Sequence, residues 1–133
     1  MAATIVAARQ VFGNVDPASQ IWKQVEYTTA QTGTNIWTPA SGKKLVITSL
    51  DIMVGGSTGG LVTIWGAPTG TTAFTPGTDQ AFFRGEFAPN ANSKPGALKN
   101  PPVPMFSDTA NDCLKITTSA GMTVYITVYG YEI

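Results

Sequence analysis

The side chains that could carry out chemistry are mostly carboxylates, because the 133-residue chain has no histidine and a single cysteine, Cys113. Without histidine, every catalytic triad that uses an imidazole base is excluded, and so are histidine-bearing metal sites. Cys113 has no second cysteine for an intrachain disulfide and no imidazole to activate it as a nucleophile. A small buried side chain is the simpler interpretation of Cys113.

Paired carboxylates are the remaining catalytic option, since glycosidases place two of them around the bond that is cleaved. The spacing along the chain does not indicate that any two acids face each other. We therefore predict no enzymatic activity and no catalytic residues. The acids considered are Asp51, Asp79, Glu86, Asp108 and Asp112.

Oxygen-rich side chains are concentrated in residues 108–112, where Asp108, Asn111 and Asp112 follow one another closely. Loops of this kind can hold calcium, but the ligand spacing of an EF-hand and its closing glutamate are missing. Asp and Asn that bond their own backbone in a turn explain the composition equally well. Calcium at this loop stays open, and no metal site or other cofactor is predicted.

The glycine-rich run Gly55–Gly60, with the sequence GGSTGG, invites comparison with a phosphate-binding loop. A P-loop requires Gly-Lys-Ser/Thr at the start of a helix, whereas these glycines lead into the apolar segment LVTIW. Glycine also adopts positive φ without steric strain, as tight turns between strands require. The run predicts a β-hairpin.

The elements that position these residues are predicted to be strands, because apolar residues recur at every second position and Gly, Pro, Asn and Thr separate the segments. A chain of 14.0 kDa suits one domain. We predict an all-β, two-sheet antiparallel sandwich, jelly-roll-like, with about eight strands in residues 21–133. Residues 1–20 are predicted to be an N-terminal arm or an irregular segment. The segments CLKITTS and MTVYITVYGYEI are predicted to pair as a hairpin over SAGM.

The faces of two strands suggest a second contact surface besides the core. In the last strand valine and isoleucine alternate with tyrosine and threonine, and in KKLVITSLDIMV both faces are apolar. Tyrosine suits a subunit contact because its ring adds apolar area and its hydroxyl still finds a partner. A solvated outer face is the alternative. The interface candidates are Tyr125, Tyr129, Tyr131, Leu45, Ile47 and Met53.

Charge is sparse: Asp, Glu, Lys and Arg make up 12% of the residues and cancel to zero. Nucleic-acid binding needs clustered basic residues, so no nucleic-acid partner is predicted. No apolar run approaches the roughly 18 residues of a membrane span, and no signal peptide is evident, so we predict no membrane partner. The tyrosine row of the last strand predicts a homo-oligomer, and near-zero net charge, which favours association, agrees with it.

The runs GKKLVITSLDI, LVTIWGAP and DCLKITTSAGMTVYITVYGYEI resemble those of small β-sandwich structural proteins of tailed bacteriophages, which decorate capsids or form head-fibre and tail knobs. The resemblance covers roughly Ser41 to Ile133. It implies a non-enzymatic capsid decoration protein that is typically a trimer and binds the major capsid protein or another virion protein. It also implies that the chain is made in the host cytoplasm and works in the virion.

A carbohydrate-binding module, or the receptor-binding tip of a phage fibre, is the alternative function. Tryptophan and tyrosine on a β-sandwich can stack on sugar rings, with Asn, Asp and Gln bonding the sugar hydroxyls. The segments NIWTPASG and FAPNANSKPG could supply such loops. Core packing is the competing interpretation for each of the three tryptophans, Trp22, Trp37 and Trp65.

Overall fold

The computed structural model describes residues 20–89, 97–99 and 104–133, so the predicted arm lies outside the described residues apart from Gln20. The described residues form nine strands. Most of the strands are rich in β-branched and aromatic residues, which fit a pleated surface. The strands are β1 (Ile21–Tyr27), β2 (Thr34–Trp37), β3 (Leu45–Gly55), β4 (Gly60–Ala67), β5 (Gln80–Phe87), β6 (Ala97–Lys99), β7 (Met105–Phe106), β8 (Cys113–Thr118) and β9 (Thr123–Glu132).

The strands form two antiparallel sheets, which confirms the predicted sandwich. One sheet, which we call the tyrosine sheet after the tyrosines of β9, has the order β1-β9-β3-β6, with the short β7 also paired to β3. The other, which we call the lysine sheet after Lys115 of β8, has the order β2-β8-β4-β5. The first strand therefore pairs with the last, β2 with β8, β3 with β6 and β7, and β4 with β5. This nested pairing is the jelly-roll arrangement, in which a long antiparallel ribbon wraps into two sheets.

Both predicted hairpins are wrong. The run Gly55–Gly60 joins β3 of the tyrosine sheet to β4 of the lysine sheet, and the SAGM segment joins β8 of the lysine sheet to β9 of the tyrosine sheet. Each turn carries the chain across the sandwich instead of back along the same sheet. The strands on either side of each turn therefore face each other through the core.

The core lies between the two sheets, and its buried residues come mainly from β2, β3, β4, β5, β8 and β9. Val124, Ile126 and Val128 of β9 are fully buried there, as the period-two pattern predicts. Leu114 and Ile116 of β8 meet them from the opposite sheet. Among the described residues, no helix has the length and apolar composition that crossing a membrane requires.

A β-bulge in β3 changes which residues face the core. The register with β9 shifts between Ile47 and Ser49, which leaves Thr48 as the extra residue. Leu45 and Ile47 therefore face inward together with Leu50, and Val46 faces outward. Strict alternation along KKLVITSLDIMV would place Leu45 and Ile47 on the face opposite Leu50, but the one inserted residue inverts the alternation.

Candidate functional sites

The outer face of the tyrosine sheet is a regular array of side chains, which we call the tyrosine face. Cross-strand pairing between β1, β9 and β3 sets three successive rows, because residues opposite each other in antiparallel strands lie side by side. The rows are Trp22–Tyr129–Ser49, Gln24–Thr127–Asp51 and Glu26–Tyr125–Met53. A fourth row on the same side consists of Tyr131, Val46 and Phe106, and Val46 in this row is fully buried.

The large side chains of the tyrosine face are unusually exposed. Trp22 is 60% exposed, Met53 52%, Phe106 44%, Tyr125 42% and Tyr129 41%. With about 200 Å² for each side chain when fully exposed, these fractions leave about 500 Å² in contact with solvent. This total is divided by the polar row Gln24–Thr127–Asp51, and it falls within the about 300–600 Å² that the largest apolar patch on an ordinary monomer covers, a range in which patches are often functional.

The structure separates the predicted interface residues into two groups. Tyr125, Tyr129 and Met53 lie on the tyrosine face, and Tyr131 lies there in a half-buried position. Leu45 and Ile47 are fully buried in the core of this chain. Their prediction as interface residues is therefore wrong, since the bulge at Thr48 turns both side chains inward. Trp22 is the most exposed aromatic residue of the face, and the candidate residues did not include it.

The outer face of the lysine sheet is covered in part by the β4–β5 loop, residues 68–79. The ring of Phe74 in this loop packs edge-on against Trp65, with 5.5 Å between the ring centroids. The Trp65 indole N–H donates to Thr117 Oγ1 at 3.0 Å. Gly33 lies against Thr72 of the same loop, at a φ of +60°, where an added Cβ would sit 2.6 Å from the Thr72 backbone. The loop therefore closes over the sheet only because residue 33 lacks a side chain.

Lys115 is fully buried beneath this loop and joins three segments of the chain. Its ammonium donates to Gly33 O at 3.2 Å, to Asn35 Oδ1 at 2.6 Å and to Thr69 O at 3.0 Å. The amide of Asn35 in turn donates to Thr69 Oγ1 at 2.7 Å. Burial lowers the pKa of Lys115 because the charged form loses water. All three ammonium protons have acceptors, so Lys115 holds the loop and β2 on β8.

Beside the loop, the lysine sheet carries a half-open groove of about 320 Å³. Its floor is one cross-strand row in which Thr63 pairs with Thr117 on one side and with Arg84 on the other. Leu61 and Phe74 contribute apolar wall. The Arg84 guanidinium lies over the Phe74 ring, 5.4 Å from its centroid. Sequence reasoning missed this groove, because these residues meet only through strand pairing and loop closure.

The tryptophans do not form a common surface. Trp65 is fully buried under the β4–β5 loop, and Trp37 is buried with its indole N–H donating to Glu132 Oε1 at 3.0 Å. Only Trp22 of the three is exposed, and it lies on the tyrosine face. The core interpretation therefore holds for Trp37, while Trp65 is buried on the outer side of its sheet.

The oxygen-rich loop shows turn chemistry. Asn111 has a φ of +69°, and its side-chain oxygen accepts a hydrogen bond from the Gly42 N–H at 2.6 Å. Burial raises the pKa of the Asp112 carboxyl. Within the part of the chain that the structure describes, no three His, Cys, Asp or Glu side chains come together as metal ligands. Cys113 is buried, as its sequence context indicates.

Comparison with known proteins adds no family assignment. None of the protein-family models matches the sequence, and a search of curated proteins likewise finds no match.

Proposed function

We propose that this chain is a non-enzymatic structural protein of a bacteriophage particle, an oligomeric capsid decoration protein that binds and stabilises the shell. The observation that carries the proposal is the tyrosine face, with about 500 Å² of exposed aromatic and methionine surface. That area exceeds half of the about 800 Å² that each partner contributes to a standard interface. The resemblance of residues 41–133 to virion proteins supports the choice of a phage particle.

The composition of the tyrosine face suits contacts between proteins. Tyr and Trp are enriched in interface cores, where large rings are desolvated at small entropic expense. Thr127 and Gln24 lie between the aromatic rows and offer hydrogen bonds to a partner. A decoration protein of this kind stabilises the shell by mass action, since it binds assembled subunits and raises the free energy needed to separate them.

Sedimentation velocity of the purified chain tests the self-association part of the proposal, for which we favour a trimer. Tyr129→Lys places a charge in the middle of the tyrosine face, and we expect it to shift the chain towards the monomer. Ala81→Lys is the matched control, because it adds the same charge at an exposed position of the lysine sheet. A wild-type chain that stays monomeric at high concentration would contradict self-association through this face.

Co-sedimentation with phage shells tests the second part. We expect the wild-type chain and Ala81→Lys to pellet with decoration-free shells and to raise the temperature at which the shells come apart. A chain that forms a stable oligomer but leaves the shells unbound and unstabilised would remove the decoration role while keeping the oligomer.

The carbohydrate alternative keeps one of its three tryptophans, the exposed Trp22 on the tyrosine face. Sugar stacking requires an accessible ring face, and both Trp37 and Trp65 are buried. The segment FAPNANSKPG lies partly outside the described residues. No second function is proposed from these loops.

A further inference from the structure

We propose that the groove on the lysine sheet binds a sugar acid, meaning a monosaccharide unit that carries a carboxylate. The groove lies on the opposite side of the sandwich from the tyrosine face. The proposal goes beyond the decoration role and does not depend on it.

The first observation is the hydroxyl of Thr63 at the groove floor. Thr63 is only 3% exposed, and its side chain has no hydrogen-bond partner within the described residues. Buried hydroxyls in native proteins are nearly always paired, with protein or with ordered water. An unpaired hydroxyl that lines a groove is available to a molecule that enters the groove.

The second observation is Arg84, the neighbour of Thr63 on β5. Phe74 holds the guanidinium through a cation–π contact. Within the described residues, Arg84 forms no ion pair. An arginine that lies over an aromatic ring, and whose N–H groups have no hydrogen-bond partner among the described residues, is suited to bidentate hydrogen bonding with a carboxylate.

The third observation is that Thr117, on the other side of Thr63, has its proton available. Thr117 Oγ1 accepts hydrogen bonds from the Gly33 N–H at 3.1 Å and from the Trp65 indole N–H at 3.0 Å. Both lone pairs of the oxygen are therefore occupied, and the hydroxyl can only donate. The row Thr117–Thr63–Arg84 thus presents hydrogen-bond donors, which an acceptor such as a carboxylate satisfies.

The remaining lining fits a sugar ring. Leu61 and Pro76 offer apolar wall for the C–H face of the ring, while Thr32, Thr72 and Ser119 place hydroxyls around it. Cross-strand neighbours lie about 5 Å apart, so the three floor residues span about 10 Å, enough for one ring and its carboxylate. The volume of about 320 Å³ is at the lower end of the roughly 300–1,000 Å³ of small-molecule sites, which favours a single unit over an extended chain.

A titration of the ¹⁵N-labelled full chain with D-glucuronate, followed by two-dimensional NMR, tests the proposal. We expect saturable shifts at the amides of Thr63, Arg84 and Thr117. The ligand efficiency typical of small molecules gives a dissociation constant of about 1 mM. D-glucose, which lacks the carboxylate, and acetate, which lacks the ring, should each bind at least about tenfold more weakly.

Variants separate a real site from a general charge effect. Arg84→Gln should weaken glucuronate binding at least about tenfold, whereas Lys43→Gln, which removes the same charge from an exposed site, should leave it unchanged. Thr63→Val should weaken binding severalfold with no loss in melting temperature. The proposal is overturned if glucuronate causes no saturable shift well above the expected dissociation constant, if acetate or glucose binds equally well, or if Arg84→Gln binds like wild type.

Discussion

Replacing Lys115 by methionine tests whether the buried ammonium group stabilises or destabilises this fold. Methionine keeps most of the apolar length of the side chain and removes the charge. The loss comprises three hydrogen bonds from a charged donor, each worth about 1.5–3 kcal/mol. The substitution also removes the desolvation penalty of one buried ion, and this stabilises the variant by several kcal/mol. The sign of the change therefore depends on whether the acceptors find other partners.

The surroundings of the three acceptors decide the balance. The bond to Gly33 O is fully buried, so this carbonyl would remain unpaired in Lys115→Met, whereas the bonds to Asn35 and Thr69 are only partly buried. Without the hydrogen bonds from Lys115, the β4–β5 loop over Trp65 is also held less tightly. We expect the free energy of unfolding at pH 7 to fall by about 2 kcal/mol, since one unpaired buried acceptor alone costs about 1–3 kcal/mol. The melting temperature should fall by roughly 6–10 °C.

Urea unfolding of wild type and Lys115→Met, at several protein concentrations, measures this difference. Lys43→Met serves as the control, because the same substitution at an exposed position should change stability by less than about 0.5 kcal/mol. A Lys115→Met variant as stable as wild type, or more stable, would refute the reasoning, since desolvation would then outweigh the hydrogen bonds.

The pH dependence provides a second check with a defined sign. Burial lowers the pKa of Lys115 below its ordinary value of 10.5, so between the folded pKa and 10.5 the unfolded chain binds more protons than the folded chain. Stability contributed by this residue therefore rises with pH in that window and is constant below it. We expect the stability difference between wild type and Lys115→Met to widen as the pH rises towards 10.5. A narrowing difference would mean that the hydrogen bonds raise the pKa.

Three further outcomes are expected. Thr63→Val removes a buried hydroxyl that has no partner in the described residues, so thermal unfolding should show unchanged or higher stability, and a drop above about 1 kcal/mol would indicate a missed partner. In denaturant titrations, Gly33→Ala should lower the free energy of unfolding by more than about 2 kcal/mol, because the new Cβ meets the Thr72 backbone. Gly42→Ala, also at positive φ but in open space, should lower it by only about 1 kcal/mol. Trp22→Ser should weaken self-association at least about tenfold in sedimentation experiments while monomer stability changes by less than about 0.5 kcal/mol; equal association would exclude Trp22 from the interface.

Strand identity and the core face of most strands could be predicted from the sequence. The alternation around Val124, Ile126 and Val128 places these residues on one side of any strand, because successive side chains in extended backbone point in opposite directions. The same geometry places Tyr125 and Tyr129 on the other side. These features are local, so neighbouring residues suffice to predict them.

Pairing partners and the exact faces of β3 required the tertiary structure. A Gly-rich turn such as Gly55–Gly60 can join two strands of one sheet or can cross from one sheet to the other. Which connection forms depends on where the two flanking strands bury their apolar faces. The extra residue Thr48 leaves no mark in the apolar pattern, since Leu45, Val46 and Ile47 are all apolar. Which of them faces the core depends on the register with β9.

Local patterns in the chain are enough to indicate an all-β protein with few charges, no histidine, and a terminal strand whose tyrosines point away from its core side. Folding is needed to bring Trp22 beside those tyrosines, to bury Lys115 with three acceptors, and to place Thr63 beside Arg84 in a groove. The difference comes from distance along the chain. Alternation acts between adjacent residues, whereas these contacts join segments tens of residues apart, which only packing of the two sheets and their loops brings together.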